Sequence, residues 1–435
     1  MYAIILSSLM YIGAFLYPTY LYPFIFIWMV PILYRDRAND YRFKDGFMWG
    51  LIFFGIHLLW MAFVLYEKEQ GRACVVVVYA TTVWYFALIS GFWFWFKNLM
   101  ASGIMNRIQS LKGKYVALYC TWIVSTVTFI FITCYCSLAL FGCFDGYSFV
   151  NPLLPIVSWT WYLQPIVYLG YLSYWIIITL INVIIALLLQ KKELKLIVPL
   201  LALFLFPICF SFQNKSLNLK EGEIGYLKPH WNHLNLTQAQ KFYQIGRDLD
   251  SFAMNCPDLK FVLLPESSFS HNILDWEDKL DAWSSLFDEK TSILIGTHRY
   301  IGGNNYNSLC QIIDGKIVNH YDKSHLIPFV ERMPDWARLI PFFSSLFAKN
   351  RCFFSYPAKN QKNLEVGGYV PYICSELFCE AKKPVDSRPI IFICNDDWLG
   401  LGYARELALR SASLYSLRFG VSIIYVGSRN CSIIK

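Results

Sequence analysis

Gly368-Tyr369-Val370-Pro371-Tyr372-Ile373-Cys374-Ser375-Glu376-Leu377-Phe378 decides how the second half of this chain is read. An apolar, β-branched run ends at Cys374, and a carboxylate follows two residues later. That is the pattern of a buried strand offering a residue at its C-terminal end. Free cysteines are commonly small buried hydrophobes, so Cys374 gains a role only from what the rest of the chain brings to it. As a nucleophile it needs a base to free its thiolate. It also needs N–H or cationic donors for the oxyanion that its attack creates.

Outward from this stretch, short apolar runs alternate with longer amphipathic ones. Strands are predicted at 223–227, 260–264, 292–296, 369–374, 390–394 and, last, 422–426. Residues 307–313 and 316–320 form a hairpin turning at Asp314-Gly315. Helices are predicted at 237–253, 280–287 and 403–419. Strands alternating with helices make an α/β sandwich. In such folds catalytic groups sit just past the C-terminal ends of strands, and three stretches fit. Leu263-Leu264-Pro265-Glu266-Ser267-Ser268-Phe269 offers the carboxylate of Glu266. Tyr321-Asp322-Lys323-Ser324-His325-Leu326-Ile327-Pro328-Phe329-Val330-Glu331-Arg332 offers the ammonium of Lys323. The opening stretch offers the thiol. Carboxylate, ammonium and thiol are the groups that acyl transfer uses.

The first half differs in kind. Of 435 residues, 56% are hydrophobic and 16% charged, where soluble chains carry about 25% charge. Apolar runs at about 2–17, 19–34, 46–66, 73–96, 115–140, 164–189 and 195–211 predict about seven membrane spans. A helix crosses with about 20 apolar residues, and the first, second and seventh runs are short. Run 2–17 lacks a basic n-region and a small-residue cleavage site, so it reads as a span and not a signal peptide. With a cytoplasmic N-terminus, eleven basic residues fall inside: Arg35, Arg37, Arg42, Lys44, Lys97, Arg107, Lys112, Lys114, Lys191, Lys192 and Lys195. Only Lys68 and Arg72 fall outside. The positive-inside rule selects this orientation. Seven crossings then put residues 212–435 outside as a catalytic domain after the membrane domain 1–211.

The net charge of +8 belongs to these loops and does not point to nucleic acid. Thirteen scattered cysteines without CxxC, and seven histidines without HExxH, give neither a disulfide framework nor a metal site. No cofactor is implied. His57, inside a run, reads as a histidine satisfied by a neighbouring helix. Gly46 and Gly50 allow close helix packing. Residues 141–163 are too broken to span and read as an outside loop, with Trp159, Trp161 and Tyr162 at the interface.

The order Glu266, Lys323, Cys374 resembles the Glu-Lys-Cys triad of the nitrilase (carbon–nitrogen hydrolase) superfamily. Asn395-Asp396-Asp397-Trp398-Leu399-Gly400 resembles its segment after the nucleophile strand. Tyr-x-Lys-x-His-Leu-x-Pro-Phe-x-Glu at 321–331 is more specific and resembles the apolipoprotein N-acyltransferases. That family joins membrane helices to an external nitrilase domain. Asn151-Pro152-Leu153-Leu154-Pro155-Ile156 and the glycine-aromatic stretch 46–60 are similar to it too. The resemblance implies a polytopic α-helical membrane domain followed by an α/β (α-β-β-α sandwich) nitrilase-like domain. It implies a phospholipid acyl donor, a Cys374 thioester and a diacylglyceryl lipoprotein acceptor at the bilayer. Glu266 is then the base, Lys323 the oxyanion partner, and Glu331 and Glu376 supporting acids. Trp231, Ser375, Asn395 and Trp398 fall at substrate-binding positions.

The chain departs from the family at four places. Ser375 stands where the family has Tyr, Tyr226-Leu227-Lys228-Pro229-His230-Trp231 replaces a Gln-Gly-Asn-like segment, and Arg429-Asn430-Cys431 replaces Asn-Asn-Gly. The sequence stops at Lys435, before the strands and final helix of the family, so a shortened member is expected. The alternatives are a membrane amidase or acyltransferase for another substrate, similar to the TraB-like proteins of conjugal transfer, and an inactive scaffold.

Overall fold

The computed structural model describes residues 1–36, 40–67, 72–136, 148–210, 223–229, 236–256, 259–327, 331–333, 339–341, 355–358, 369–378, 388–399, 402–429 and 431–434. It has two compact units. One is built from the helices before residue 211 and also takes in 399–418. The other holds the strands. The expected single boundary near 211 is therefore crossed a second time, by the helix Gly402–Phe419.

Among the described residues, three helices are long and apolar enough to cross a membrane: Val75–Met105, Lys112–Cys136 and Ile166–Lys191. They fall on the expected runs 73–96, 115–140 and 164–189. The first two expected runs form instead a pair, Tyr2–Leu16 and Pro18–Arg35, bent by 120°. Pro18 brings no N–H to continue the first helix. Run 46–66 breaks at Leu58 into Phe43–His57 and Leu59–Glu67. Run 195–211 gives the shorter apolar helix Leu194–Cys209. Seven apolar runs thus become three full-length helices, or four if the bent pair counts as one span. Apolar composition marks burial from water, not helix continuity.

The outer face of Arg72–Met105 bares Trp84, Leu88, Phe92, Trp95 and Leu99 at helical spacing. Such a stripe is stable only against another apolar phase. Gly46 allows the helices Phe43–His57 and Arg72–Met105 to meet, since a Cβ there would strike the Ser90 carbonyl. Several polar groups inside are matched. Asn182 donates to the carbonyls of Ile25 (3.1 Å) and Ile178 (2.9 Å) and accepts from Met29 N–H at 2.9 Å. His57 Nδ1 lies 2.6 Å from Tyr403 Oη. Lys97, expected in a loop, is buried within its longer helix and pairs with Asp36 at 2.9 Å. Trp122 Nε1 donates to the same carboxylate oxygen at 2.8 Å. The helix Gly402–Phe419 packs in this unit through Tyr403 and through Arg418, which donates to Tyr135 Oη at 3.0 Å.

The strand unit has two sheets. The first runs in order β1 (Ile224–Tyr226), β2 (Phe261–Asn272), β3 (Ser292–Ile301), β4 (Asn304–Ile313), β5 (Lys316–Asp322). Its first three strands are parallel and the rest antiparallel. The second runs β6 (Val370–Ile373), β7 (Ile390–Ile393), β8 (Ile423–Val426), β9 (Cys431–Ile434). Here β6, β7 and β8 are parallel and β9 antiparallel.

Side chains alternate across a strand, and β2 shows what that does. Leu263 points between the sheets, with Leu294, Leu309, Ile373, Ile391, Ile393 and Val426. Leu264 points the other way, onto Phe242, Leu249 and Trp283 under the helix Gln238–Asn255. Thr237 caps that helix by accepting from Gln240 N–H. The expected arrangement, a helical membrane-type domain followed by an α/β domain, is what the chain forms. Two local expectations fail. The strand 422–426 is not the last, because β9 follows as a four-residue edge strand too short to show a period. The helix 280–287 is one turn, Asp281–Ser284, since the 3-10 segment Ile273–Lys279 uses up the chain before it.

Candidate active site

The sequence predicts a strand ending at Leu264, but β2 continues to Asn272 with a register shift between Leu264 and Phe269. Pro265-Glu266-Ser267 sits in that shift. Pro265 cannot join the ladder, and Ser267 takes φ 58°, the left-handed region. A Cβ at Gly296 of β3 would collide with Glu266 Cα and the Pro265 carbonyl, so glycine lets the neighbouring strand pass the kink. The result is a carboxylate with 5% residual exposure. Lys323, one residue past β5, is 1% exposed. Cys374, one residue past β6, has φ 45°. A non-glycine residue there stores about 1–3 kcal/mol of strain. Its N–H bonds to Ile393 O at 2.8 Å and its carbonyl accepts from Leu377 N–H at 3.2 Å. The sharp turn into Ser375–Phe378 is held on both sides, and the thiol projects from it.

These three groups meet. Lys323 Nζ lies 3.2 Å from Glu266 Oε1 and 2.7 Å from Glu331 Oε1. The Cys374 thiol lies within electrostatic reach of Glu266, Lys323 and Glu331. Glu266 Oε2 accepts from the Asn395 main-chain N–H at 2.9 Å. Glu331 Oε2 accepts from Ile327 N–H at 2.8 Å. Asn307, not singled out by the sequence, donates from Nδ2 to Glu266 Oε1 at 2.7 Å and to Glu331 Oε1 at 3.2 Å. It is 4% exposed, on β4. The only signal for it is its inward position in the hairpin's alternation.

The charges follow from these contacts. Burial alone would raise Glu266, but the Lys323 ammonium and the Asn395 and Asn307 donors hold it below the usual carboxylate range. Burial and the Glu266 charge push Glu331 up, against Lys323. Burial works against the Lys323 charge, but Glu266 and Glu331 more than offset it and raise its pKa. Burial and the Glu266 charge push the Cys374 thiol up, against the pull of Lys323. The resting site therefore holds a neutral thiol, a carboxylate able to take its proton, and a permanent cation. That set can form a thiolate at the moment of attack and neutralise the oxyanion that results.

Glu376 is a positioning group. Its Oε1 accepts from Tyr321 Oη (2.8 Å), Ser324 N–H (2.8 Å) and Ser324 Oγ (2.5 Å), and its Oε2 from Ile373 N–H at 2.9 Å. It ties the end of β5 to the nucleophile turn. Ser375 Oγ donates to the His325 carbonyl at 2.6 Å, adding a second tie. Asn395, expected at the substrate, supports Glu266 with its main chain, while its Oδ1 accepts from Ser428 Oγ at 3.0 Å. Trp398 lies in the 3-10 turn Asp396–Leu399. Trp231 lies outside the described residues. Among the described residues no cluster of metal-ligating side chains is present.

No protein-family model matches the chain. Over 190 residues it is 27% identical to an apolipoprotein N-acyltransferase of Rhodopseudomonas palustris, covering 40% of this chain. The chain spans about a third of that relative's length (35%). Among solved structures, a CN-hydrolase superfamily protein of Xanthomonas campestris shares 14% identity over 48% of this chain and 73% of its own, with a TM-score of 0.30. Nit3 of Saccharomyces cerevisiae, of the nitrilase superfamily, shares 15% over 44% and 70%, with a TM-score of 0.27. The chain is thus similar to an apolipoprotein N-acyltransferase, with a sequence likeness that spans less than half of it.

Proposed function

We propose that this chain is a membrane acyltransferase that carries a fatty acyl group on Cys374. The observation that carries the reading is the contact of Lys323 with both Glu266 and Glu331, with the Cys374 thiol within reach of all three charges. In the first half-reaction Sγ attacks the ester carbonyl of a phospholipid. Glu266 takes the thiol proton and returns it to the departing glycerol oxygen, while Lys323 meets the oxyanion. In the second, the α-amino group of a diacylglyceryl lipoprotein attacks the thioester. The C–N bond forms, the C–S bond breaks, and the amine proton passes through Glu266 to sulfur. Both substrates are lipids, which accords with the apolar helices and the bared stripe on Arg72–Met105. We place the catalytic half on the extracytoplasmic side of the bacterial inner membrane. What supports that side is loop charge: basic residues gather at 35–44, 107–114 and 191–195, against Lys68 and Arg72 opposite.

The test is complementation of a bacterial strain depleted of its own apolipoprotein N-acyltransferase. Growth is expected with the wild-type chain and not with Glu266→Ala or Cys374→Ser, each confirmed present in membranes. No rescue by a wild-type chain present at the same level would contradict the reading.

A further inference from the structure

Lys323 follows the least protected strand of its sheet. β5 lies at the edge, and of its seven residues only Tyr321 is buried. Its pairing with β4 slips between Gln311 and Ile312. A strand with so little apolar burial opens at small cost. Yet misplacing a catalytic group by about 1 Å costs about 10²-fold in rate. Two neighbouring side chains pin the strand end, one on each face. Tyr321 faces the site and donates to Glu376. Asp322 faces the other way, as alternation requires, on the face that carries Cys310 and Ile312. There it stands opposite Ser308 of β4 and accepts from its Oγ at 2.6 Å. Both Asp322 oxygens also accept from Arg299 Nη1, at 2.9 and 3.1 Å. Arg299 belongs to β3, the middle strand of the five, so its side chain crosses β4 to reach β5. Only 9% and 13% of the two side chains are exposed. Charge-assisted bonds of this kind are strong and directional.

We propose that Arg299, Asp322 and Ser308 are positioning residues that hold the Lys323 ammonium at the oxyanion from the far face of the sheet. Arg299 ties the edge strand to the middle of the sheet. Lys323 comes next in the chain, with its N–H on the Asn307 carbonyl at 2.8 Å and its ammonium between Glu266 and Glu331. The clamp touches no substrate and acts only through Lys323. A pair that served stability alone would change how much protein folds, not how the folded protein reacts. The effect on rate rests on the acyl-transfer reading above.

The experiment uses the full chain in detergent micelles, with folded protein quantified by size-exclusion chromatography. The variants are Arg299→Met with Asp322→Ala, Arg299→Lys, and Ser308→Ala, all of unchanged net charge. One measurement is steady-state acyl transfer from phospholipid to a synthetic diacylglyceryl-cysteinyl peptide. The other is the pH dependence of Cys374 alkylation by iodoacetamide. Lys323 lowers the pKa of that thiol, so a displaced ammonium lets it rise. In the double variant kcat is expected to fall about 10²-fold with KM unchanged, and the alkylation curve to move to higher pH. Arg299→Lys, which keeps a cation beside Asp322, should stay closer to wild type in both, and Ser308→Ala should lose less than the double variant. Wild-type kcat and an unmoved curve in the folded double variant would overturn the proposal alone. If the double variant does not fold, wild-type values in both Arg299→Lys and Ser308→Ala would overturn it. A wild-type protein that forms no thioester would overturn the acyl-transfer reading, and the alkylation curves would still decide whether the clamp places Lys323.

Discussion

Lys323→Met is expected to lower the unfolding temperature of the full chain in micelles by about 10 °C and to abolish acyl transfer. Lys323 is 1% exposed and neutralises two buried carboxylates, at 3.2 and 2.7 Å. Removing one partner of a buried ion pair costs about 3–5 kcal/mol, because the remaining charge stays buried. For a unit of this size that is about 10 °C. The sign with pH follows. Without the ammonium, Glu266 and Glu331 repel each other in a buried site, and their folded-state pKa values rise above the unfolded value of about 4.3. A group raised on folding loses its stabilising contribution as pH increases through the folded value. The gap between variant and wild type should therefore be widest near pH 8 and narrow toward pH 5. A gap that does not change with pH would show that Lys323 is not the counter-ion of this pair.

Glu266→Gln is expected to move two reactivities of the same sulfur in opposite directions. Acyl transfer should fall by about 10²–10⁴-fold, the worth of a positioned base. Alkylation of Cys374 by iodoacetamide at pH 7–8 should instead quicken. The negative charge of Glu266 helps raise the thiol above its ordinary range, and Lys323 lowers it. Taking away the carboxylate leaves the ammonium to favour the thiolate, so the thiol ionises at lower pH than in wild type. In the wild type, Glu266 is held below the usual carboxylate range, so acyl transfer should persist on the acid side until that carboxylate protonates. A parallel loss of both reactivities would mean that the substitution has only damaged the site.

Glu266, Lys323 and Cys374 are legible as candidates because each follows an apolar run or a hairpin, although Glu266 falls at a register shift inside β2 and not at its end. The run before Cys374 and the start of β2 before Glu266 are continuously buried, whereas β5 before Lys323 is mostly exposed and is marked by its hairpin turn. What was not legible depends on pairing between strands. Asn307 reads as one polar residue in a hairpin until β4 lies against β3 and opposite the Pro265-Glu266 kink. Ser267 and Cys374 look ordinary in sequence, yet both take positive φ. No local preference of serine or cysteine announces that, since the surrounding bonds impose it. Glu376 was read as a supporting acid by position. Its four accepted bonds come from 50 residues upstream and from the strand before it. In the helical half, composition located the apolar runs but not every break within them. Leu58 interrupts a stretch that hydropathy alone presents as continuous, while at Tyr17-Pro18, the boundary of the first two runs, the 120° bend is what sequence does not show.

The central claim is that Cys374 carries an acyl group between two lipids. Its most direct test is mass spectrometry of the intact protein after incubation with phospholipid and no acceptor. A single added acyl mass on the peptide containing Cys374, removed by neutral hydroxylamine and absent from Cys374→Ser, is the predicted result. A wild-type protein that is folded, holds phospholipid and shows no hydroxylamine-labile acyl group on Cys374 would contradict it.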